Sequence, residues 1–191
     1  MEIISDRLIL RDYTSNDSSF YEELEQNPLS YKYENTAPDA KQIKDDFLSI
    51  LSQATSDPRE HYDLAICTKL DMKPIGNVSI KLNWEDIREW EIGWVLLPEY
   101  WKMGYATEAV KSLIDYAFKS LNAHRIVAYA NAENIQSEKV MIRAGMIKDG
   151  VLRETRFCNQ QWCNEIIYSY LEQEWANICC FKTNQGKTPY K

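Results

Sequence analysis

A long amphipathic helix is the clearest feature of the hydrophobic pattern. After Pro98, apolar side chains recur every three or four residues, which places them on one face of an α-helix. The members of this stripe are Val110, Leu113, Ile114, Ala117, Phe118 and Leu121. A second stripe follows Asp39, a residue type that caps helices, and consists of Ile43, Phe47, Ile50, Leu51 and Ala54. We therefore predict two helices that each bury one face.

Short apolar runs rich in β-branched and aromatic residues, separated by turn-forming residues, predict the strands. They cover residues 7–13, 62–68, 74–82, 90–97 and 125–130, and two further runs within 146–171 meet at a hairpin over 159–161. A helix up to about residue 27 follows the capping cluster 14–17, and another spans about 135–144, where Gly145 is placed to end it. This order predicts an α+β fold of the α/β type, with a mixed, mostly antiparallel sheet of six to seven strands flanked by about four helices.

The composition narrows the class of protein. With 191 residues, of which 45% are apolar, the chain suits one domain, which we assign to residues 1–175. The tail 176–191 lacks a periodic pattern, and we expect it to be poorly ordered. A net charge of -7 argues against nucleic-acid binding and permits a cationic partner. No window approaches the ~18 apolar residues of a membrane span, and no signal peptide is recognisable, so we expect a cytoplasmic protein.

The cysteines and histidines give no metal site. The five cysteines lack the spacing of metal ligands and fit reduced thiols, and there are only two histidines. Neither histidine lies in a nucleophile motif, so a covalent mechanism is not indicated.

A strand, a turn and the long helix together suggest an anion site. The strand that ends near Pro98 leads into the turn Trp101 to Ala106, at the start of the strongest helix. Free N–H groups and the helix dipole attract anions at such a turn, and small residues let a phosphate approach the backbone. The candidate residues are Lys102, Met103, Gly104, Tyr105, Ala106 and Thr107. Gly104 taken alone is equally typical of a structural turn.

The chain resembles the GNAT superfamily of N-acetyltransferases, and within it the ribosomal-protein-alanine N-acetyltransferases. The resemblance covers roughly residues 4–172 and rests on the segments Asp6 to Arg11, Glu91 to Trp94, Gly104 to Ala109, and Asn134 to Ser137 ahead of Ala144 to Met146. It implies acetyl-CoA as co-substrate, without a metal, with its pyrophosphate on the turn and the sheet splayed to admit it. Trp101 and Lys102 depart from the family's usual residues there.

The resemblance also implies roles along the cofactor, whereas the candidate base follows from the position of Glu91 in the central strand, a few residues before the turn. The backbones of Val95, Leu96 and Leu97 would meet the acetyl and pantetheine parts, and Asn134 the pantetheine arm, unless Asn134 only caps a helix. Glu91 is the candidate base, with Glu89 and Glu154 as rivals and an ordinary ion-paired strand residue as the alternative.

The leaving thiolate needs its own stabilising group. Many family members use a tyrosine, but Met141 stands at that position and cannot donate a proton. The resemblance implies Ser137 instead, because it matches a serine that some ribosomal-protein acetyltransferases place near the sulfur, where its hydroxyl can donate a hydrogen bond to the developing anion. Its alternative role is that of a helix-start serine.

The resemblance implies acetyl transfer to a primary amine. The acceptor is either a protein N-terminal α-amine, as in the ribosomal-protein branch, or a small-molecule amine or amino-sugar antibiotic. A non-catalytic acyl-CoA-binding module is the alternative from another class. We expect a monomer or a homodimer.

Overall fold

One mixed sheet runs through the centre of the molecule. The computed structural model describes residues 1–33 and 36–177. Within them the sheet has the strand order β1-β2-β3-β4-β5-β6-β8-β7. The strands are β1 (Glu2–Ile4), β2 (Leu8–Asp12), β3 (His61–Thr68), β4 (Pro74–Trp84), β5 (Glu89–Leu96), β6 (Arg125–Asn131), β7 (Ile147–Cys158) and β8 (Gln161–Leu171). The helices are α1 (Ser18–Glu25), α2 (Ala40–Gln53), α3 (Tyr105–Ser120) and α4 (Ile135–Ala144).

The predicted fold class is confirmed, but the strand count was too low. All neighbouring strands pair antiparallel except β5 and β6, which pair parallel. The eighth strand is β1, whose three residues pair with β2 from Glu2 opposite Arg11 to Ile4 opposite Ile9. A segment this short contains too few positions for an alternating pattern, so only its pairing with β2 defines it as a strand.

The two faces of the sheet are covered by different helices. On one face, the predicted stripe of α3 is buried from Val110 to Phe118, together with Ile80, Ile92 and Ile126 of the sheet. On the other face, α1 and α2 pack around Tyr13 and Phe47 in a smaller cluster. The helical periodicity therefore identified the core-facing sides of α2 and α3 correctly.

The connection through α3 positions the predicted anion turn. Since β5 and β6 are parallel neighbours, the chain must leave the end of β5, cross the sheet through α3 and return at the start of β6. The turn between β5 and α3 therefore lies at the carboxyl end of β5. Ligands commonly bind at this edge of sheets that contain parallel strands.

The start of α1 is held by a buried carboxylate. Asp17 accepts hydrogen bonds from both terminal nitrogens of Arg11, at 2.8 and 2.7 Å, and from the backbone N–H of Thr14 at 2.7 Å. Burial by itself would raise the pKa of Asp17, but the hydrogen bonds from Arg11 and Thr14 lower it below its usual value. The ionised form is thus the one that stabilises the fold.

Asp17→Asn should lower the free energy of unfolding by about 2 kcal/mol at pH 7, because Arg11 loses its charged partner. Since the folded-state pKa is lowered, the stabilisation is complete only above the unfolded pKa of about 4 and is lost as the pH falls through the folded value. In urea unfolding, the difference in the free energy of unfolding between the wild type and the Asp17→Asn variant should be smaller at pH 3 than at pH 7. Asp45→Asn, which breaks the exposed pair with Lys41, should cost less than about 0.5 kcal/mol. Equal losses for both variants would contradict this account.

The end of the described chain packs on α3. Residues 172–177 form a short helical segment. Within it, Trp175 stacks on Phe118 and donates a hydrogen bond from Nε1 to Asp115 at 2.6 Å. The predicted tail therefore begins inside a helix, while its remainder, 178–191, and the lack of order expected there lie outside the described residues. In the part of the chain that the structure describes, no helix has the length and apolar character needed to cross a membrane.

Candidate active site

A cavity of about 420 Å³ opens where β5, α3 and α4 meet. Three segments of the main fold contribute its walls, which are the end of β5, the turn into α3, and the residues that lead into α4. A fourth wall comes from the loop between α1 and α2, through Leu29, Ser30, Lys32 and Tyr33. The cavity therefore contains both the predicted anion turn and the segment around Asn134.

The turn before α3 has an unusual backbone. Lys102 has a φ of 63° and Gly104 a φ of 82°, so two residues adopt the left-handed conformation within three positions. Gly104 is also the N-cap of α3 and has no side chain with which to cap it. The first N–H groups of an α-helix have no partner within the helix, and those of α3 start at residues that line the cavity. The geometry thus supplies backbone donors and a helix dipole to an anion.

Cationic side chains form part of the cavity lining. Lys102, Lys139 and Arg143 all contribute to its lining. Glu133 also belongs to the lining, so the charge there is predominantly positive even though the chain as a whole is negative. This distribution suits a ligand with several phosphate groups.

The sheet is open beside the turn. The register between β5 and β6 consists of three pairs and ends at Glu91 opposite Val127. Beyond that point β5 continues through Val95 and Leu96, paired only with β4. One side of this segment therefore faces the cavity, and its backbone groups on that side are not paired with a neighbouring strand.

At the start of α4, Asn134 and Ser137 are joined by a cap. The side-chain oxygen of Asn134 accepts a hydrogen bond from the backbone N–H of Ser137 at 3.1 Å. Both residues line the cavity, and the cap does not use the NH₂ group of Asn134 or the hydroxyl of Ser137. Met141 is fully buried in the core and lies outside the cavity.

Glu91 lies at the point where the two parallel strands separate. Its carboxylate is 3.3 Å from Nζ of Lys81 on β4, and 29% of its side chain is exposed. Its rival Glu89 is 10% exposed and is bound by Arg125 at 2.6 Å and Asn83 at 2.7 Å, which commits both carboxylate oxygens to the fold. The other rival, Glu154, is exposed on β7. Of the three, Glu91 combines partial exposure with a place at the opening of the sheet.

The cavity brings together most of the residues predicted from the sequence. Nine of them line it, namely Val95, Leu96, Lys102, Gly104, Tyr105, Ala106, Thr107, Asn134 and Ser137. Leu97, Met103 and Glu91 are not part of the lining. The N–H of Leu97 donates to Ile75 and its carbonyl accepts from Tyr100, both at 3.0 Å, so its backbone is already used within the fold. In the described residues, no group of three or more His, Cys, Asp or Glu side chains is arranged to hold a metal ion.

Comparison with known families shows which family the chain belongs to. The profile of the acetyltransferase (GNAT) domain matches residues 7–147, which include β5, the turn, α3 and α4. The chain belongs to the GNAT acetyltransferase family. The resemblance inferred from the sequence motifs is thereby confirmed.

Relatives and solved structures agree with this membership. The uncharacterised N-acetyltransferase YnaD of Bacillus subtilis is 29% identical over 175 residues, which cover 92% of this chain and 99% of the relative. The ribosomal-protein-S5-alanine acetyltransferase of Vibrio fischeri matches with a TM-score of 0.79 and 23% identity, over 92% of this chain and 98% of that one. The spermidine N-acetyltransferase of Vibrio cholerae, solved with CoA and spermine, matches with a TM-score of 0.77 and 22% identity, over 90% and 99%. The two solved structures establish the shared GNAT fold.

The sequence did not reveal how the fourth wall of this GNAT cavity is held in place. The hairpin between β7 and β8 reaches the loop between α1 and α2, where the thiol of Cys158 donates to the carbonyl of Tyr33 at 3.0 Å. The side-chain amide of Asn159 donates to the carbonyl of Lys32 at 3.1 Å. The hairpin itself was predicted from residues 159–161, but its contact with a loop about 125 positions earlier depends on the sheet topology.

Proposed function

We propose that this protein transfers the acetyl group of acetyl-CoA to a primary amine, and that the acceptor is a protein N-terminal α-amine. The observation that carries the proposal is the left-handed turn at Lys102 and Gly104, which opens the N-terminus of α3 into the cavity beside the unpaired end of β5. Family membership supports the reaction type, and the ribosomal-protein acetyltransferase among the structural neighbours supports the acceptor class.

In this proposal the cofactor lies along the cavity from the turn to the opening of the sheet. The pyrophosphate binds the backbone of Lys102 to Thr107, with Met103 contributing to the shape of the turn. The amide-rich pantetheine arm follows the backbone of Val95 and Leu96 and accepts a hydrogen bond from the NH₂ group of Asn134. The thioester of acetyl-CoA bound in this way lies near the point where β5 and β6 separate.

The reaction requires a proton to leave the amine and a thiolate to leave the cofactor. The neutral amine nitrogen attacks the thioester carbon, and the tetrahedral intermediate collapses with cleavage of the carbon–sulfur bond. We propose that the Glu91 carboxylate accepts the amine proton, directly or through a water molecule, once its ion pair with Lys81 has broken. The Ser137 hydroxyl donates a hydrogen bond to the thiolate as it forms.

Glu91→Gln should lower kcat about 100-fold, because glutamine keeps the size of the side chain but cannot accept a proton. The affinity for acetyl-CoA should stay unchanged, since Glu91 lies outside the cavity lining. Single-turnover kinetics with saturating acetyl-CoA measure the effect. The control is Glu85→Gln, which changes an exposed glutamate in the turn before β5. An unchanged kcat in the Glu91 variant would remove Glu91 from the mechanism.

A small polyamine is the second candidate acceptor. One solved neighbour is a spermidine acetyltransferase, and the net charge of -7 would attract a polycation as well as a basic protein terminus.

An acceptor panel separates the candidate functions. The purified protein is incubated with acetyl-CoA and peptides that begin with alanine or serine, with spermidine, or with an aminoglycoside, and thiol release and product mass are measured. Acetylation of the peptide α-amine supports the proposal. Acetylation of spermidine or the aminoglycoside alone would replace it with a small-molecule acetyltransferase, and binding of acetyl-CoA without any product would indicate a non-catalytic module.

A further inference from the structure

Arg7 connects the start of the chain to the turn before α3. Its Nη1 donates to the carbonyl of Met103 at 3.0 Å, and its Nε donates to the carboxylate of Glu108 at 2.7 Å. The guanidinium also lies 4.5 Å from the ring centroid of Tyr105. Three residues in and after the turn are therefore held by one side chain from the residue just before β2.

The carboxylate of Glu108 is held equally firmly. It accepts a further hydrogen bond from the backbone N–H of Arg7 at 2.7 Å and one from the hydroxyl of Ser5 at 2.8 Å. Burial would raise the pKa of Glu108, but these hydrogen bonds and the charge of Arg7 lower it overall, so the group is an anion. An anion in the first turn of α3 opposes the binding of another anion there unless a cation neutralises it.

The contact with Met103 determines the direction of a backbone donor. In a trans peptide the carbonyl and the following N–H point in opposite directions. Because the Met103 carbonyl points toward Arg7, the N–H of Gly104 points away from Arg7. Gly104 lines the cavity, whereas Arg7 does not.

The turn has a strained backbone that contacts such as this one can stabilise. A non-glycine residue in the left-handed region costs about 1 kcal/mol, and Lys102 is such a residue. Strained conformations persist when surrounding contacts define them. Arg7 donates its hydrogen bond to Met103, which lies between the two left-handed residues. This contact limits the other backbone conformations that the turn can adopt.

We propose that Arg7 is a positioning residue for the cofactor turn, which fixes the N–H of Gly104 toward the pyrophosphate and neutralises Glu108 beside it. The inference rests on the proposed binding of acetyl-CoA at this turn. Arg7 acts through the backbone and through Glu108 and does not touch the cofactor. The same argument predicts that the two substitutions differ in their effect on acetyl-CoA affinity. Glu108→Gln removes the negative charge that opposes the pyrophosphate, whereas Arg7→Ala leaves that charge without its neutralising cation.

Arg7→Ala should weaken acetyl-CoA binding about tenfold, as measured by calorimetry, with kcat at saturating acetyl-CoA changed less than twofold. The diagnostic comparison uses S-acetyl-pantetheine, a donor that ends before the pyrophosphate. Its kcat/KM should be the same for the variant and the wild type. Arg7→Lys should give an intermediate affinity, because one ammonium cannot reproduce the forked contacts with Met103 and Glu108. Glu108→Gln should weaken binding less than Arg7→Ala.

The matched control is Arg11→Ala. Arg11 lies on β2 and forms a comparable pair with Asp17, and neither residue lines the cavity, so this variant should lose stability without losing affinity for acetyl-CoA. Equal affinity of Arg7→Ala and the wild type would overturn the positioning role. An equal loss of kcat/KM with both donors would overturn it as well, because it would indicate general damage. Failure of the wild type to bind acetyl-CoA at all would instead refute the proposed function.

Discussion

Gly76→Ala is expected to lower the free energy of unfolding by about 3 kcal/mol and to weaken the binding of acetyl-CoA at the same time. Gly76 lies on β4 opposite Leu96 of β5. A Cβ atom at this position would lie 2.3 Å from the carbonyl oxygen of Val95 and 2.4 Å from Cδ2 of Leu96. Two of the three closest contacts involve the backbone of β5, so the strand itself would have to move. Val95 and Leu96 line the cavity, which couples the change in stability to the change in affinity.

Urea unfolding and calorimetric titration of the same samples measure both effects. The matched control is Gly150→Ala on β7, where a Cβ atom would meet nothing within 4 Å. This variant should differ from the wild type by less than about 0.5 kcal/mol in stability and should bind acetyl-CoA normally. A Gly76 variant that is as stable as the Gly150 variant would show that β4 and β5 are not as closely paired as the structure indicates.

Gly104→Asp is expected to weaken acetyl-CoA binding on the order of 300-fold. A carboxylate about 4 Å from a phosphate costs about 4 kcal/mol at an effective dielectric constant near 20, and partial neutralisation by Arg7 reduces this figure. The Cβ atom would lie 3.4 Å from Nη2 of Arg7, so the new carboxylate also competes with Met103 and Glu108 for that guanidinium. Both effects act against the pyrophosphate.

The control for this prediction is Gly104→Asn, which has the same shape without the charge. Asparagine and aspartate both tolerate a positive φ better than other residues, so the backbone at 82° is strained to a similar extent in the two variants. Binding of acetyl-CoA, measured by calorimetry, should fall less than tenfold in the asparagine variant. If both variants bind as tightly as the wild type, the pyrophosphate does not lie at this turn.

The elements that the sequence revealed are those whose pattern repeats within one segment. The stripe from Val110 to Phe118 covers more than two turns of α3, and Asp39 does cap α2 by accepting from Gln42. By contrast, β1 has three residues and becomes a strand only through its pairing with β2. The separation of β5 from β6 was expected only from the family resemblance, because it follows from where their register ends and single-segment patterns carry no information on register.

The candidate site shows the same division. The local motif at Gly104 identified the turn correctly, because a strand end, a small residue and a helix start are adjacent in the chain. The contact between Arg7 and Glu108 joins residues 101 positions apart, and the pairing of Glu91 with Lys81 depends on the register between β4 and β5. The hydrogen bond from the Leu97 N–H to Ile75 continues the same register, so the sequence could not show that this donor is already used, whereas the bond from Tyr100 belongs to a local turn.

Within the described part of the chain, the sheet consists of two halves that are joined only by the short pairing of three residues between β5 and β6. Strands β1 to β5 form one half and β6, β8 and β7 the other, and the ladder from Glu89 to Glu91 joins them. Helix α3 contacts β5 in one half, α4 contacts β6 in the other, and the two helices contact each other. A molecule wedged between the strands would therefore brace two halves that the backbone alone joins only at one end.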